Sequence, residues 1–148
     1  MRDRYRAHSR RGFTLIEMIV VLAIISVLVS VVGVGSYSYV QRSRVVSTRL
    51  NMKNLETALM AYLTDNGDVP NRRQGLEALV RKTSVPPVPE NFLEGGYLDG
   101  LQVPRDGWDR DFAYIVPGPE GKPFMLVSYG KDGEEGGTGY DADLTNFD

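Results

Sequence analysis

From Phe13 to Val34 the chain runs for 22 residues with a single charge, Glu17. As an α-helix this stretch is about 33 Å long, enough for the ~30 Å hydrocarbon core of a bilayer. A secretory signal has a shorter apolar region, roughly 7–15 residues, followed by a small-residue cleavage site. This run is longer, and the sequence after it, GVGSYSYV, offers no convincing A-x-A site. Hydropathy alone therefore reads as an uncleaved anchor. Glu17 complicates that reading, because a carboxylate costs a few kcal/mol at the bilayer centre and less towards the interface. Something must offset that cost, or the segment does more than anchor.

The charges flanking the run give it a direction. Residues 1–12 hold Arg2, Arg4, Arg6, Arg10 and Arg11 against Asp3, a net of +4, which leaves −6 for the rest of a chain whose total is −2. A basic head, an apolar run and an acidic body place the head in the cytoplasm and the body across the membrane. The acidic body has no basic patch for nucleic acid. Of 148 residues, 42% are hydrophobic and 24% charged, which suits one modest domain. About a hundred residues remain outside the run, enough for one small core. Cysteine is absent, so disulfides and thiolate chemistry are excluded. The only histidine, His8, lies in the basic head, which rules out a Ser–His–Asp device in the body.

Beyond Gly35 polarity rises, yet helical spacing persists. Val45, Met52, Leu55, Leu59 and Tyr62 recur at three-, four- and seven-residue intervals, a stripe for core packing. TDNGDVP stops the helix with Gly67 and Pro70, which gives one helix of about fifty residues. RRQGLEALVRK reads as a short second helix, and GGYLDGLQVPRDGWDRD as an irregular connection. DFAYIV and FMLVSY read as two strands of a hairpin joined by PGPEGK, and the tail from Gly130 as loop. The expected fold class is α+β: a long N-terminal helix on a small antiparallel sheet.

The tail gathers Asp132, Glu134, Glu135, Asp141 and Asp143 in a glycine-rich stretch. Oxygen donors on such a loop suit Ca²⁺, which accepts loose geometry and backbone carbonyls, although the EF-hand pattern is not met. On the residues alone, a solvated acidic loop is the plainer reading.

RRGFTLIEMIVVL resembles the class III leader of prepilins and pseudopilins. The resemblance implies cleavage between Gly12 and Phe13 on the cytoplasmic side, and methylation of the new amine of Phe13 by the same prepilin peptidase. It implies an assembly role for Glu17, fifth in the mature chain. Its carboxylate would meet the Phe13 amine of a neighbouring copy, each charge offsetting the other's desolvation; the competing reading is a Glu17 that snorkels to the headgroups. Relatives commonly have a proline where this chain has Val34, and flanking Gly33 and Gly35 are candidates for the soft point that proline provides.

VPNRRQGLEALV, PPVPENFLEGGYLDGL, DGWDRDFAYIVPGPEG and LVSYGKDGEEGGTGYDADLTNFD resemble, in order, segments of the major-pseudopilin (protein G) family of the type II, or general, secretion system. The resemblance covers nearly everything after Arg10. It departs at one turn, where the family's Asp-Pro-Trp-Gly-Asn is Asp106-Gly107-Trp108-Asp109-Arg110. It implies a type IV pilin-like fold with a cleaved leader (1–12), a transmembrane and assembly helix (13–35) and a periplasmic globular domain (36–148). It also implies a structural Ca²⁺ on Asp132, Asp141 and Asp143, with Ser128 as a further donor. The function implied is structural, with no catalytic residue: a subunit that polymerises into a periplasmic fibre and pushes folded exoproteins through the outer-membrane secretin. Implied partners are other copies of the chain, minor pseudopilins, the prepilin peptidase, and an inner-membrane platform with its ATPase. A type IV pilin and a minor pseudopilin are the near alternatives. More remote are a membrane-anchored hydrolase using Asp106 with Asp109 or Asp141 with Asp143, and a Ca²⁺-dependent lectin.

Overall fold

The computed structural model describes residues 12–148, without the side chains of residues 31–36. The leader residues up to Arg11, His8 among them, lie outside this description, as does the side chain of Val34 between Gly33 and Gly35. The chain divides into two units between Tyr39 and Val40. One helix, α1 (Leu15–Asn66, 52 residues), contributes to both.

In the first unit every residue from Gly12 to Ser30 is exposed, including Leu15, Ile16, Leu22 and Val29. The two hydroxyls of this stretch are satisfied within the helix: Ser26 Oγ donates to Leu22 O at 2.7 Å and Ser30 Oγ to Ser26 O at 2.6 Å. Such bonds let a serine sit in an apolar helix without an unpaired donor. Among the described residues no helix is long and apolar enough to cross a membrane. The run continues in sequence through residues 31–34, beyond the last described side chain of the stretch.

In the second unit α1 has a sharply defined buried face. Gln41, Thr48, Met52, Leu55, Leu59 and Tyr62 are buried, at intervals of seven, four, three, four and three. The sequence stripe is thus core, with Val45 packed at its edge. The helix stops as the sequence indicates. Gly67 adopts φ +81°, a conformation glycine enters without strain, and its N–H bonds to Leu63 O at 2.8 Å.

The expected second helix is only a single 3-10 turn, Leu76–Leu79. Gly75, in the left-handed region at φ +62°, interrupts the backbone just before it. The Gln74 amide ties the segment to its own loop by donating to Val85 O at 2.8 Å and Pro87 O at 2.7 Å. One turn suffices to bury Leu76, Ala78 and Leu79.

The hairpin forms as read, with shorter strands. β1 (Ala113–Ile115) pairs antiparallel with β2 (Met125–Ser128), Tyr114 opposite Leu126. The tail is not all loop. β3 (Leu144–Thr145) pairs antiparallel with β2, Ser128 opposite Leu144, giving the order β1-β2-β3. Two residues carry no alternation that a sequence reading could detect. The pairing continues just beyond β3, where Asn146 Oδ1 accepts the Leu126 N–H at 2.8 Å. Leu55 and Leu59 of α1, Leu79, Phe112, Phe124 and Leu126 form one core.

Candidate functional site

The helix start is built from Thr14 and Glu17. Thr14 precedes the first helical residue, and its Oγ1 accepts the Glu17 N–H at 3.3 Å while Glu17 Oε2 accepts the Thr14 N–H at 3.4 Å. This is a capping box, which gives partners to two of the amides that every helix start leaves open. The T-x-x-E spacing signals it in the sequence, yet attention to Glu17 as a partner for another copy passes it over. Phe13, next to the cap, is the residue expected to bear the modified amine and is 76% exposed.

The turn from Asp106 to Arg110 is the joint between α1 and the tail. Asp106 is buried, with both carboxylate oxygens engaged: Oδ1 accepts the Trp108 and Arg110 N–H groups, each at 2.9 Å, and Oδ2 accepts the Ser128 hydroxyl at 2.7 Å. A carboxylate so engaged organises the turn and has no oxygen left for acid–base work with Asp109, which is exposed. Gly107 lies directly on the helix, and a Cβ there would collide with the Arg44 carbonyl. Its N–H donates to Thr48 Oγ1 at 2.8 Å, a bond that a proline at this place lacks. Thr48 in turn donates to Arg44 O at 2.9 Å. Asp109 adopts φ +65° at the position where the family pattern has glycine. Relative to the family pattern, the turn has an amide that donates a hydrogen bond where a proline has none, and a left-handed aspartate where the pattern has glycine.

Arg110, the last residue of that turn, holds the base of the acidic loop. Its guanidinium donates to Gly130 O at 2.7 Å and Lys131 O at 2.9 Å, and it lies against Gly133, where a Cβ would strike it. Sequence reading missed this clamp because the cation comes from a turn twenty residues upstream of the carbonyls it binds.

The acidic loop spreads its carboxylates over different tasks. Asp132 Oδ1 accepts the Glu134 N–H at 3.1 Å, and Asp143 Oδ2 accepts the Gly136 N–H at 3.0 Å. The remaining oxygens Asp141 Oδ1 and Asp143 Oδ1 are buried without a hydrogen-bond partner, and Lys131 Nζ reaches Asp141 Oδ1 only at 3.9 Å. Ser128, 1% exposed, directs its hydroxyl to Asp106. Among the described residues no three acidic or histidine side chains gather closely enough to hold a metal. Two orphaned carboxylate oxygens and a glycine-rich backbone nevertheless provide the hard oxygen donors that suit Ca²⁺.

Three tyrosines surround the other end of α1. Burial raises the hydroxyl pKa of Tyr114, Tyr62 and Tyr97 above the ordinary tyrosine value, most strongly for Tyr114. Tyr114 donates to Pro70 O at 2.7 Å, and Tyr62 and Tyr97 pack with ring centroids 5.2 Å apart.

Residues 7–33 match the family model described as the prokaryotic N-terminal methylation motif. The chain is similar to the type II secretion system core protein G of Pseudomonas aeruginosa, with 42% identity over 140 residues that cover 95% of this chain and 96% of that protein. It is also similar to the protein of the same name from Vibrio cholerae, with 37% identity over 96% of this chain and 94% of that one. The crystal structure of the major pseudopilin from the type 2 secretion system of enterohaemorrhagic Escherichia coli has a similar fold. Its TM-score is 0.58 at 32% identity, over 77% of this chain and 92% of that chain. Residues 36–147 match the model of the type II secretion system protein G family, so the chain belongs to that family.

Proposed function

We propose that this chain is the major structural subunit of a type II secretion pseudopilus. In this reading it is cleaved between Gly12 and Phe13, methylated on Phe13, and anchored in the inner membrane through residues 13–35 with its body in the periplasm. Copies polymerise through their helices, and the growing fibre pushes folded exoproteins through the outer-membrane secretin. A platform and ATPase drive growth, and minor pseudopilins share the fibre. The observation that carries the reading is the wholly exposed apolar start of α1. Apolar side chains on every side of one helix call for an apolar surrounding, either lipid or other copies of that helix.

Glu17 has two uses in this scheme. Within the chain it completes the cap with Thr14; between chains its second carboxylate oxygen meets the Phe13 amine of a neighbour. Glu17→Ala removes both, whereas Glu17→Gln preserves a capping side chain and removes the charge. Secretion lost in both variants, with the body's thermal unfolding unchanged, supports the pairing. Secretion retained by Glu17→Gln would leave capping as the whole role of this residue.

Calcium belongs to the same proposal. Asp141 and Asp143, through their unpaired oxygens, would hold the ion with Asp132 and loop carbonyls. When bound it supplies positive charge to a loop that otherwise concentrates carboxylates. An ion held by the folded loop and not by the unfolded chain would stabilise the fold by mass action. The full chain in detergent should show a higher Tm in excess Ca²⁺ than in chelator, and Asp143→Ala should abolish the difference. A wild-type chain indifferent to Ca²⁺ would remove the ion from the scheme.

A further inference from the structure

One apolar groove and one apolar knob of the body lie unfilled on different surfaces. The groove, about 720 Å³, runs between α1 and the C-terminal tail. Val45, Val46, Trp108 and Leu144 supply its apolar surface, and Arg42 and Arg49, seven residues apart on one helix face, line it together with Asp143, whose Oδ2 accepts the Gly136 N–H and whose Oδ1 is buried. Neither arginine has an ion-pair partner among the described residues. Asp148, which also lines the groove, is turned back on its own tail, where Oδ2 accepts the Thr145 N–H at 2.7 Å. The knob is Leu101, 92% exposed in the irregular connection, with the exposed Asp99 two residues before it, which has no ion-pair partner among the described residues. Neither residue lines the groove of its own chain.

We propose that Leu101 of one copy seats in this groove of the next, with Asp99 meeting Arg42 and Arg49. An apolar knob flanked by a carboxylate matches an apolar slot lined by two guanidiniums in polarity and in charge. The two patches differ, so the contact is heterologous; each copy keeps a free knob at one end and a free groove at the other. Contacts of that kind propagate into open helical filaments rather than closed dimers. The proposal rests on the filament reading above and assigns a body contact to it.

The cysteine-free chain makes the test direct. The full-length Val46→Cys/Leu101→Cys variant, oxidised in membranes of cells assembling filaments, should give a ladder of dimers, trimers and higher species, and each single variant should stay monomeric. A double variant that stays monomeric within filaments overturns the contact, as does a dimer from Leu101→Cys alone, which would pair knob with knob. Wild-type chains that form no filament remove the functional reading and this contact together. Trp108, the only tryptophan, reads the groove independently of the cross-link. Its emission should shift to the blue on assembly, and unshifted emission from formed filaments counts against the proposal. Asp99→Arg should lower filament yield by about tenfold, and adding Arg42→Asp with Arg49→Asp should restore it. A triple variant no better than Asp99→Arg would show that the charges do not meet.

Discussion

The two halves of α1 share one backbone and obey opposite rules. Up to Ser30 the helix exposes every described side chain, and most of them are apolar. Beyond Val40 it buries a stripe one or two residues wide and turns its arginines and its lysine outward. The second half is therefore explained by its own chain, because its apolar face has a core to cover. The first half has no such cover among the described residues; in the function proposed above, lipid or other copies supply it. In that proposal, the boundary between uncovered and covered apolar surface separates assembly from folding.

The comparison breaks most visibly at the joint. Gly107→Ala forces a methyl into the Arg44 carbonyl, and moving the turn away also strands the Thr48–Gly107 hydrogen bond. Overpacking against backbone of this kind costs about 3 kcal/mol or more. The variant body should be largely unfolded at 37 °C by circular dichroism and protease sensitivity. A native-like melting curve would show that the turn can lift from the helix without loss.

A paired truncation sharpens the contrast between the halves. Leu59, fully buried at the centre of the core, should cost about 2–5 kcal/mol when cut to Ala. Leu22→Ala removes the same atoms from an exposed position 63% accessible in the chain and should leave the melting of the body unchanged while weakening filament assembly. Equal effects on body stability would mean that the two halves do not differ in the way their burial indicates.

Much of this was legible in the sequence because strong periodic or positional signals carry it. Met52, Leu55, Leu59 and Tyr62 declare their face by spacing, and Gly67 marks the helix end by being the residue that accepts positive φ. The apolar run and the Gly12–Phe13–Glu17 constellation signal the N-terminal methylation motif that residues 7–33 match. What stayed hidden depends on partners distant in sequence. β3 has two residues, and only the Ser128–Leu144 and Val127–Thr145 registers identify it. The Arg110 clamp on Gly130 and Lys131 and the Asp106–Ser128 bond join residues about twenty apart in loops without periodicity. RRQGLEALVRK failed differently: its composition favours a helix, but Gly75 and the Gln74 bonds to the following loop limit it to one turn.

Titration offers a gentler probe, confined to the second half. Tyr62, Tyr97 and Tyr114 have hydroxyl pKa values raised by burial in the folded state, whereas the unfolded chain ionises its tyrosines near pH 10. Above about pH 10 the unfolded state therefore binds fewer protons than the native one, and stability falls as pH rises; below that value the contribution is fully present. The Tm of the body should be flat from neutrality to about pH 9.5 and then drop. Tyr114→Phe loses the Pro70 hydrogen bond at neutral pH, so it should start lower and then fall less steeply in alkali. A slope identical to wild type would move the alkaline sensitivity to other groups.

The smallest effect expected is a gain, and it tests how the altered turn was accommodated. Asp109 holds a left-handed conformation at φ +65°, which for a residue with a side chain costs on the order of 1 kcal/mol. Asp109→Gly relieves that strain and returns roughly 0.5 kcal/mol of entropy to the unfolded chain. It also removes an ion pair with Arg105 at 3.5 Å, which contributes little because the Asp109 side chain is 86% exposed. Arg105 keeps a second partner, Asp111, at 3.2 Å. The balance is a rise of a few tenths of a kcal/mol, or about 1–3 °C in Tm for a body of this size. A fall would mean that Asp109 earns its place through Arg105, and that this turn is organised by charge as well as by backbone conformation.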